Sequence, residues 1–254
     1  MSNRIYHGEN LSILKQLDVS SVDLIYIKPP SELKPIDINP DDLKRSFTLG
    51  TTQYTNLYDE YLLYLESRLK EAYRILSKQG TLYLHSNHTR VHYIKALVLD
   101  PIFGRENFVN EIVWAKQSNG GGSRAWPAKH ENILMYSKTS DFKFNADNID
   151  RIPYLAPGLV SEEKEELGKL PTDTWWYTQK ISEREILKRL ISASTDPGDT
   201  VLDFFAGTGL TGEICFSLNR KFILIEENQK HIEEMVNKFQ KKDIEWIGFD
   251  PSSS

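Results

Sequence analysis

The chain has 254 residues, 31 basic and 36 acidic side chains, a net charge of −5 and a single cysteine. That length suits one large α/β domain, and the lone Cys215 excludes an intramolecular disulfide, as in a reducing cytosol, and reads as a small core residue of a helix. The acidic sum excludes gross phosphate attraction, Met1 to Asn10 is too polar for a signal peptide, and no run approaches the about 18 apolar residues of a membrane helix, so a soluble cytoplasmic protein is expected.

In chain order, Ile5 to His7 and Val22 to Ile27 are apolar runs around an amphipathic stretch, Asn10 to Leu17. They predict a strand, helix, strand unit with a right-handed crossover. The polar segment containing Pro35 and Pro40 continues to about Asn56. It is too long for a simple connection and reads as a lid or a disordered segment. Tyr58, Tyr61, Leu62, Leu65, Leu69, Ala72, Tyr73 and Leu76 recur at helical spacing, with Gly80 as the stop before a strand from Thr81 to His85. A helix from Thr89 to Leu99 is expected to end before Pro101. Asn110 to Lys116 and Asn132 to Ser137 read as paired strands around a loop at Gly120, Gly121 and Gly122.

Residues 150 to 177 hold an acidic run, Glu162 to Glu166, which reads as a solvated face. Then follow a helix (Ile181 to Ser194), a strand (Thr200 to Asp203), a helix (Leu210 to Leu218), a strand (Phe222 to Ile225), a helix (Gln229 to Phe239) and a strand (Ile244 to Ile247). This alternation predicts an α/β fold with a doubly wound, mostly parallel, Rossmann-like sheet. His85, His88 and His92 straddle a strand end in a polar stretch and read as surface or pocket lining, with no metal site.

Gly207, Gly209 and Gly212 form Gly-x-Gly-x-x-Gly directly after a strand, so backbone amides and a helix N-terminus are expected to face an anionic group. Glu226 follows Gly207 by 19 residues at the end of the next strand, where a carboxylate can accept both hydroxyls of a ribose. A dinucleotide would suit the same features, which keeps an oxidoreductase open. Against it, the glycine turn lies near the C-terminus, whereas dinucleotide folds carry it in their first unit.

The motifs resemble the circularly permuted beta-class DNA amino-methyltransferases, in which the catalytic half precedes the S-adenosylmethionine half. Phe204-Phe205-Ala206-Gly207-Thr208-Gly209 is similar to the family's cofactor turn, and Phe205, Gly207, Thr208, Gly209 and Thr211 fall on its cofactor-contacting positions. Thr178-Gln179-Lys180 resembles the segment that borders the methionine moiety, and His7-Gly8-Glu9-Asn10 the turn near the adenine. Val22 to Ile27 leads, as in the family, into Lys28-Pro29-Pro30-Ser31, where the family writes Asp-Pro-Pro and then Tyr or Phe. Phe103 to Phe108 and Trp126 to His130 carry further likeness.

The resemblance implies one methyltransferase domain over 1–254. Its parts are a catalytic half at 3–110, a target-recognition hairpin with an irregular insert at 115–177, and a cofactor half at 178–247. It implies S-adenosylmethionine as cofactor, bound by Glu9, Asn10, Gln179, Lys180 and the glycine turn, and duplex DNA as partner, with a homodimer or a partner subunit left open. The reaction implied is methyl transfer to the exocyclic amine of adenine, with cytosine as the alternative target, the base being flipped out of the duplex. In the family the Asp and the first proline carbonyl accept the amine hydrogens while the aromatic stacks on the base. Here Lys28 is a donor and Ser31 has no π face, which predicts slow or absent transfer. An active enzyme and a non-catalytic cofactor- and DNA-binding subunit both stay open.

Between Ala115 and Phe144, Lys116, Arg124, Lys129, Lys138 and Lys143 against Glu131 and Asp141 leave a local charge of +3. Such an island fits phosphate contact. Arg124 and Trp126 are candidates to enter a groove, and Lys116, Lys129 and His130 to touch phosphate.

Overall fold

The computed structural model describes residues 2–30, 47–49, 52–54, 60–116, 124, 126–176, 181–240 and 242–251. Strands β1 (Asn3–His7) and β2 (Val22–Ile27) flank helix α1 (Asn10–Leu14). The helix is shorter than its sequence pattern because Gln16 and Leu17 bond back only three residues, to Ile13 and Leu14. β3 (Phe47–Leu49) and β4 (Thr52–Tyr54) form a small antiparallel pair inside the segment read as a lid.

Helix α2 (Glu60–Ile75) buries Tyr61, Leu62, Leu65, Leu69 and Ala72 and passes directly into β5 (Leu76–Asn87). Gly80 therefore lies within a strand and stops no helix. The end of α2 is satisfied by partners distant in sequence. Ser20 and Ser21 donate their N–H groups to Arg74 and Ile75, and the Lys138 ammonium donates to the carbonyls of Tyr73 and Leu76 at 2.7 Å each.

α3 (Val91–Tyr93), a π-turn (Ile94–Leu99) and α4 (Asp100–Phe103) form one rod that runs through Pro101. The wider turn before the proline absorbs its missing N–H, so the expected break does not occur. β6 (Phe108–Ala115) and β7 (His130–Ser137) pair antiparallel. α5 (Glu162–Leu167) is solvated, and β8 (Thr174–Trp175) adds a short edge to β6. α6 (Glu183–Ser194) starts with a capping box between Ser182 and Glu185. β9 (Thr200–Asp203), α7 (Leu210–Ser217), β10 (Lys221–Glu226), α8 (Gln229–Lys238) and β11 (Ile244–Ile247) complete the alternation.

Among the described residues the main sheet has nine strands in the order β11-β1-β10-β9-β2-β5-β7-β6-β8. Pairing is parallel except where β7 meets β5 and β6. One apolar layer joins Leu65, Leu69, Ile94 and Val98 to the sheet, and the other joins Ile186, Leu190, Ile214 and Met235. β1 lies between β10 and β11, so the two halves of the chain interleave.

This order brings the carboxyl ends of β2, β5, β9 and β10 to one edge. Because β7 runs the other way, its first residues reach the same edge, and Glu131 pairs with Asn87. Lys138 and Lys143 lie toward the opposite edge. Lys138 caps α2, and Lys143 bonds Asp196 and Asp199 at 2.8 and 2.5 Å, so neither belongs to a phosphate-binding island.

Replacing Lys138 by Met should lower the free energy of unfolding by about 1–3 kcal/mol, since two helix carbonyls lose their donor. Urea denaturation measures the loss, and DNA affinity should not change.

Candidate active site

The turn after β9 is organised by Glu226. Its Oε2 accepts the Gly207 N–H and its Oε1 the Asn228 N–H, both at 2.8 Å, and the side chain is only 10% exposed. Gly207 sits at φ 52° and Gly209 at φ 79°, left-handed values that favour glycine. The Gly209 N–H bonds the Ala206 carbonyl. The Gly207 and Gly209 amides therefore do not face an outside anion as the motif suggests, because the Glu226 carboxylate and the Ala206 carbonyl already hold them.

This filled nest decides what fits. A pyrophosphate would meet the Glu226 charge, whereas a sugar diol can donate to it, since each oxygen has accepted one N–H and keeps acceptor capacity. A Cβ at Gly207 would meet nothing within 4 Å, so the face above the turn is open to a nucleoside. Phe205, Gly207 and Thr208 are part-exposed along it. Gly209 and Thr211 are buried. The Thr211 hydroxyl donates to Asp203 Oδ2 at 2.6 Å and so supports the turn from below. Asp203 itself is pushed up to about 7 by burial, against the opposing bonds from Thr211 and the Phe205 N–H.

A second wall comes from the start of the chain. Glu9 caps α1 through the N–H groups of Leu11 and Ser12 and receives Arg68 Nη2 at 2.6 Å. Asn10 donates to the Phe204 carbonyl at 2.9 Å and accepts from Arg68 Nε at 2.5 Å. Arg68 also lies 3.4 Å from the centre of the Tyr64 ring, and that ring is 6.2 Å from Phe205. Arg68 thus ties α1, α2 and the cofactor turn together. Sequence reasoning missed it, although a charged residue between Leu65 and Leu69 on a buried stripe is the signal that marks it.

At the end of β2, Pro29 is buried and Pro30 exposed, and Ser31 lies outside the described residues. The Lys28 ammonium donates to Glu183 Oε1 at 2.9 Å and stands 3.8 Å from Glu131 Oε2. Glu131 is the hub of this cluster, with Lys116 at 2.6 Å and His85 Nε2 at 2.7 Å, ion-pair distances at which neither contact has good hydrogen-bond alignment. His85 Nδ1 meets the Tyr26 hydroxyl at 3.0 Å. His85 is fully buried, contrary to its reading as surface or pocket lining, and burial holds it below the usual imidazole range. For Glu131 burial acts upward, but His85, Lys116 and Lys28 outweigh it and hold the carboxyl at about 2. Lys116 is paired with Glu131 and lies 4.3 Å from the centre of the Trp114 ring.

Arg124, Lys129, His130 and Trp126 are exposed, Trp126 to 96%. The His130 and His88 rings lie 5.7 Å apart. The expected positions Gln179 and Lys180, and the glycine loop, lie outside the described residues. No group of three or more metal-ligating side chains occurs among the described residues, and no described helix is long and apolar enough to cross a membrane.

A DNA methylase family profile matches residues 22–238. The chain is 30% identical to the Type II methyltransferase M.HpaI of Haemophilus parainfluenzae, over 98% of its own length and 77% of the relative's. It is also 30% identical to the DNA adenine methyltransferase YhdJ of Escherichia coli K12, over 90% and 79%. The chain belongs to the N6/N4 DNA methylase family. Its methyl donor is accordingly S-adenosylmethionine. Solved structures share the methylase fold. The cytosine-N4-specific PvuII DNA methyltransferase superposes with a TM-score of 0.65 at 16% identity, covering 100% of this chain and 90% of that one. The M1.HpyAVI complex with its bound cofactor gives 0.57 at 19%, over 93% and 98%.

In this methylase a Glu131→Gln variant should weaken the fold by about 2 kcal/mol near neutral pH, because His85 and Lys116 lose their carboxylate. A carboxyl held below its ordinary 4.5 contributes stability that is present above that value and lost as pH falls toward 2. Urea midpoints measured from pH 6 down to about 3 should therefore show a flatter acid limb in the variant.

Proposed function

We propose that this methylase transfers a methyl group to the exocyclic amine of adenine in duplex DNA, with the permuted order in which the catalytic turn precedes the cofactor turn. The observation that carries the reading is the Glu226 clamp on the Gly207 turn, open above and filled below, one strand from the Lys28-Pro29 turn. S-adenosylmethionine, when bound, supplies an electrophilic methyl group on sulfonium. Glu226 would hold the ribose hydroxyls, and Phe205 and Tyr64 offer apolar surface to the nucleoside. By resemblance, Gln179 and Lys180 border the methionine end.

The Pro29 carbonyl is the backbone acceptor for one amine hydrogen, and holding that nitrogen in line supplies much of the rate. Arg124, Trp126, Lys129 and His130 form the exposed end of the β6–β7 hairpin and would meet DNA, with phosphate contacts carrying the affinity. The name of the adenine methyltransferase YhdJ supports adenine as the target. A second reading, a non-catalytic subunit paired with an active partner, is favoured by the donor Lys28 in place of an acceptor.

Calorimetry with S-adenosylmethionine and with NAD tests the cofactor. The first should bind and the second should not, and Glu226→Ala should weaken binding at least about thirtyfold, or about 2 kcal/mol. A labelled-methyl assay on unmethylated duplex should show faster transfer in Lys28→Asp with Ser31→Phe than in the wild type. Binding of NAD alone would overturn the reading.

A further inference from the structure

The sequence Lys28-Pro29-Pro30-Ser31 carries no carboxylate acceptor of the family's kind, and a lysine ammonium cannot accept a hydrogen bond. A carboxylate nevertheless stands beside it. Glu183 is the first residue of α6, and the capping box there is made by Ser182 and Glu185, so Glu183 has no capping duty. Its Oε1 takes the Lys28 ammonium at 2.9 Å, and it makes no other hydrogen bond among the described residues. The other nearby carboxylate, Glu131, is already occupied by His85 and Lys116. Lys28 directly follows β2, which lies between β5 and β9, so the contact places Glu183 at the edge these strands share. Its side chain is 41% exposed, open to an incoming base and to water.

We propose that Glu183 is the carboxylate acceptor for the target amine in this enzyme, held in place by Lys28. The acceptor usually carried at position 28 has moved to the facing helix, and Lys28 is a positioning residue. This rests on the methyl-transfer reading above. Glu183 Oε2 takes one amine hydrogen and the Pro29 carbonyl the other, leaving the nitrogen lone pair directed at the methyl carbon. The nitrogen forms the new N–C bond as the C–S bond breaks, and the electron pair of that bond stays on sulfur. The nitrogen is then cationic and releases one proton to Glu183, which passes it to water. The plain alternative is an exposed ion pair with no part in the reaction.

Four proteins test the proposal: wild type, Glu183→Ala, Lys28→Asp and the double substitution. Each is titrated with S-adenosylmethionine and assayed for single-turnover methyl transfer to unmethylated genomic DNA. All four should bind the cofactor alike. Glu183→Ala should transfer at least about 100-fold more slowly than wild type. In the Lys28→Asp background the same substitution should cost less than about threefold, because the carboxylate introduced on the turn then accepts the hydrogen. A readout without turnover uses a duplex carrying the methylated site and S-adenosylhomocysteine. Replacing the target adenine by purine, which lacks the amine, should weaken binding to wild type more than binding to Glu183→Ala, where only the Pro29 carbonyl contact is left to lose. Equal transfer by wild type and Glu183→Ala, or a wild type that binds cofactor and transfers nothing, would overturn the role of Glu183 and leave the cofactor reading standing. If none of the four binds S-adenosylmethionine, that reading fails and the proposal with it.

Discussion

Glu226 ends β10 with one oxygen on the Gly207 N–H and the other on the Asn228 N–H, and its own carbonyl accepts the Gly8 N–H. One residue thereby joins the turns after β1, β9 and β10. Without that anion the Gly207 amide would have no partner and the left-handed turn no counterpart. The bond also sets ligand chemistry, because an amide nest already holding a carboxylate accepts hydroxyl donors and repels phosphate. A glycine pattern that by itself serves dinucleotides and adenosyl cofactors alike becomes selective through this contact.

The rest of the site is built outward from that turn. Asn10 holds the Phe204 carbonyl, Arg68 holds Asn10 and Glu9, and α2 carries Arg68. Gly212 brings α7 tightly onto the sheet, where a Cβ would come within 2.8 Å of Leu224. On the facing side, Tyr26, His85, Glu131, Lys116, Lys28 and Glu183 form a continuous polar chain at the ends of β2, β5 and β7. Its buried end is neutral and its outer end charged, the order in which desolvation costs least.

Strand periodicity, helical spacing and the glycine and proline signals make most of the elements legible, including the β6–β7 hairpin and α6, which is read from Ile181 and begins at Glu183. The misreadings share one cause. In sequence Gly80 reads as the stop of α2 and Pro101 as the stop of the next helix, yet Lys138 satisfies the first helix end and a π-turn accommodates the proline in the second. The basic stretch from Lys116 to Lys143 reads as one island. The sheet sends Lys138 and Lys143 to the edge opposite Lys28 and gives Lys116 to Glu131.

Local chemistry determined the α/β alternation, the turn after β9 and the two turns at which ligands are expected, because helix, strand and turn preferences act over a few residues. The tertiary fold alone decided that Glu226 fills the nest, that Arg68 ties α1 and α2 to the turn through Asn10, that His85 is buried, and that Glu183 meets Lys28 from 155 residues away. Charges find their partners by distance in space, and the strand order of the sheet sets those distances.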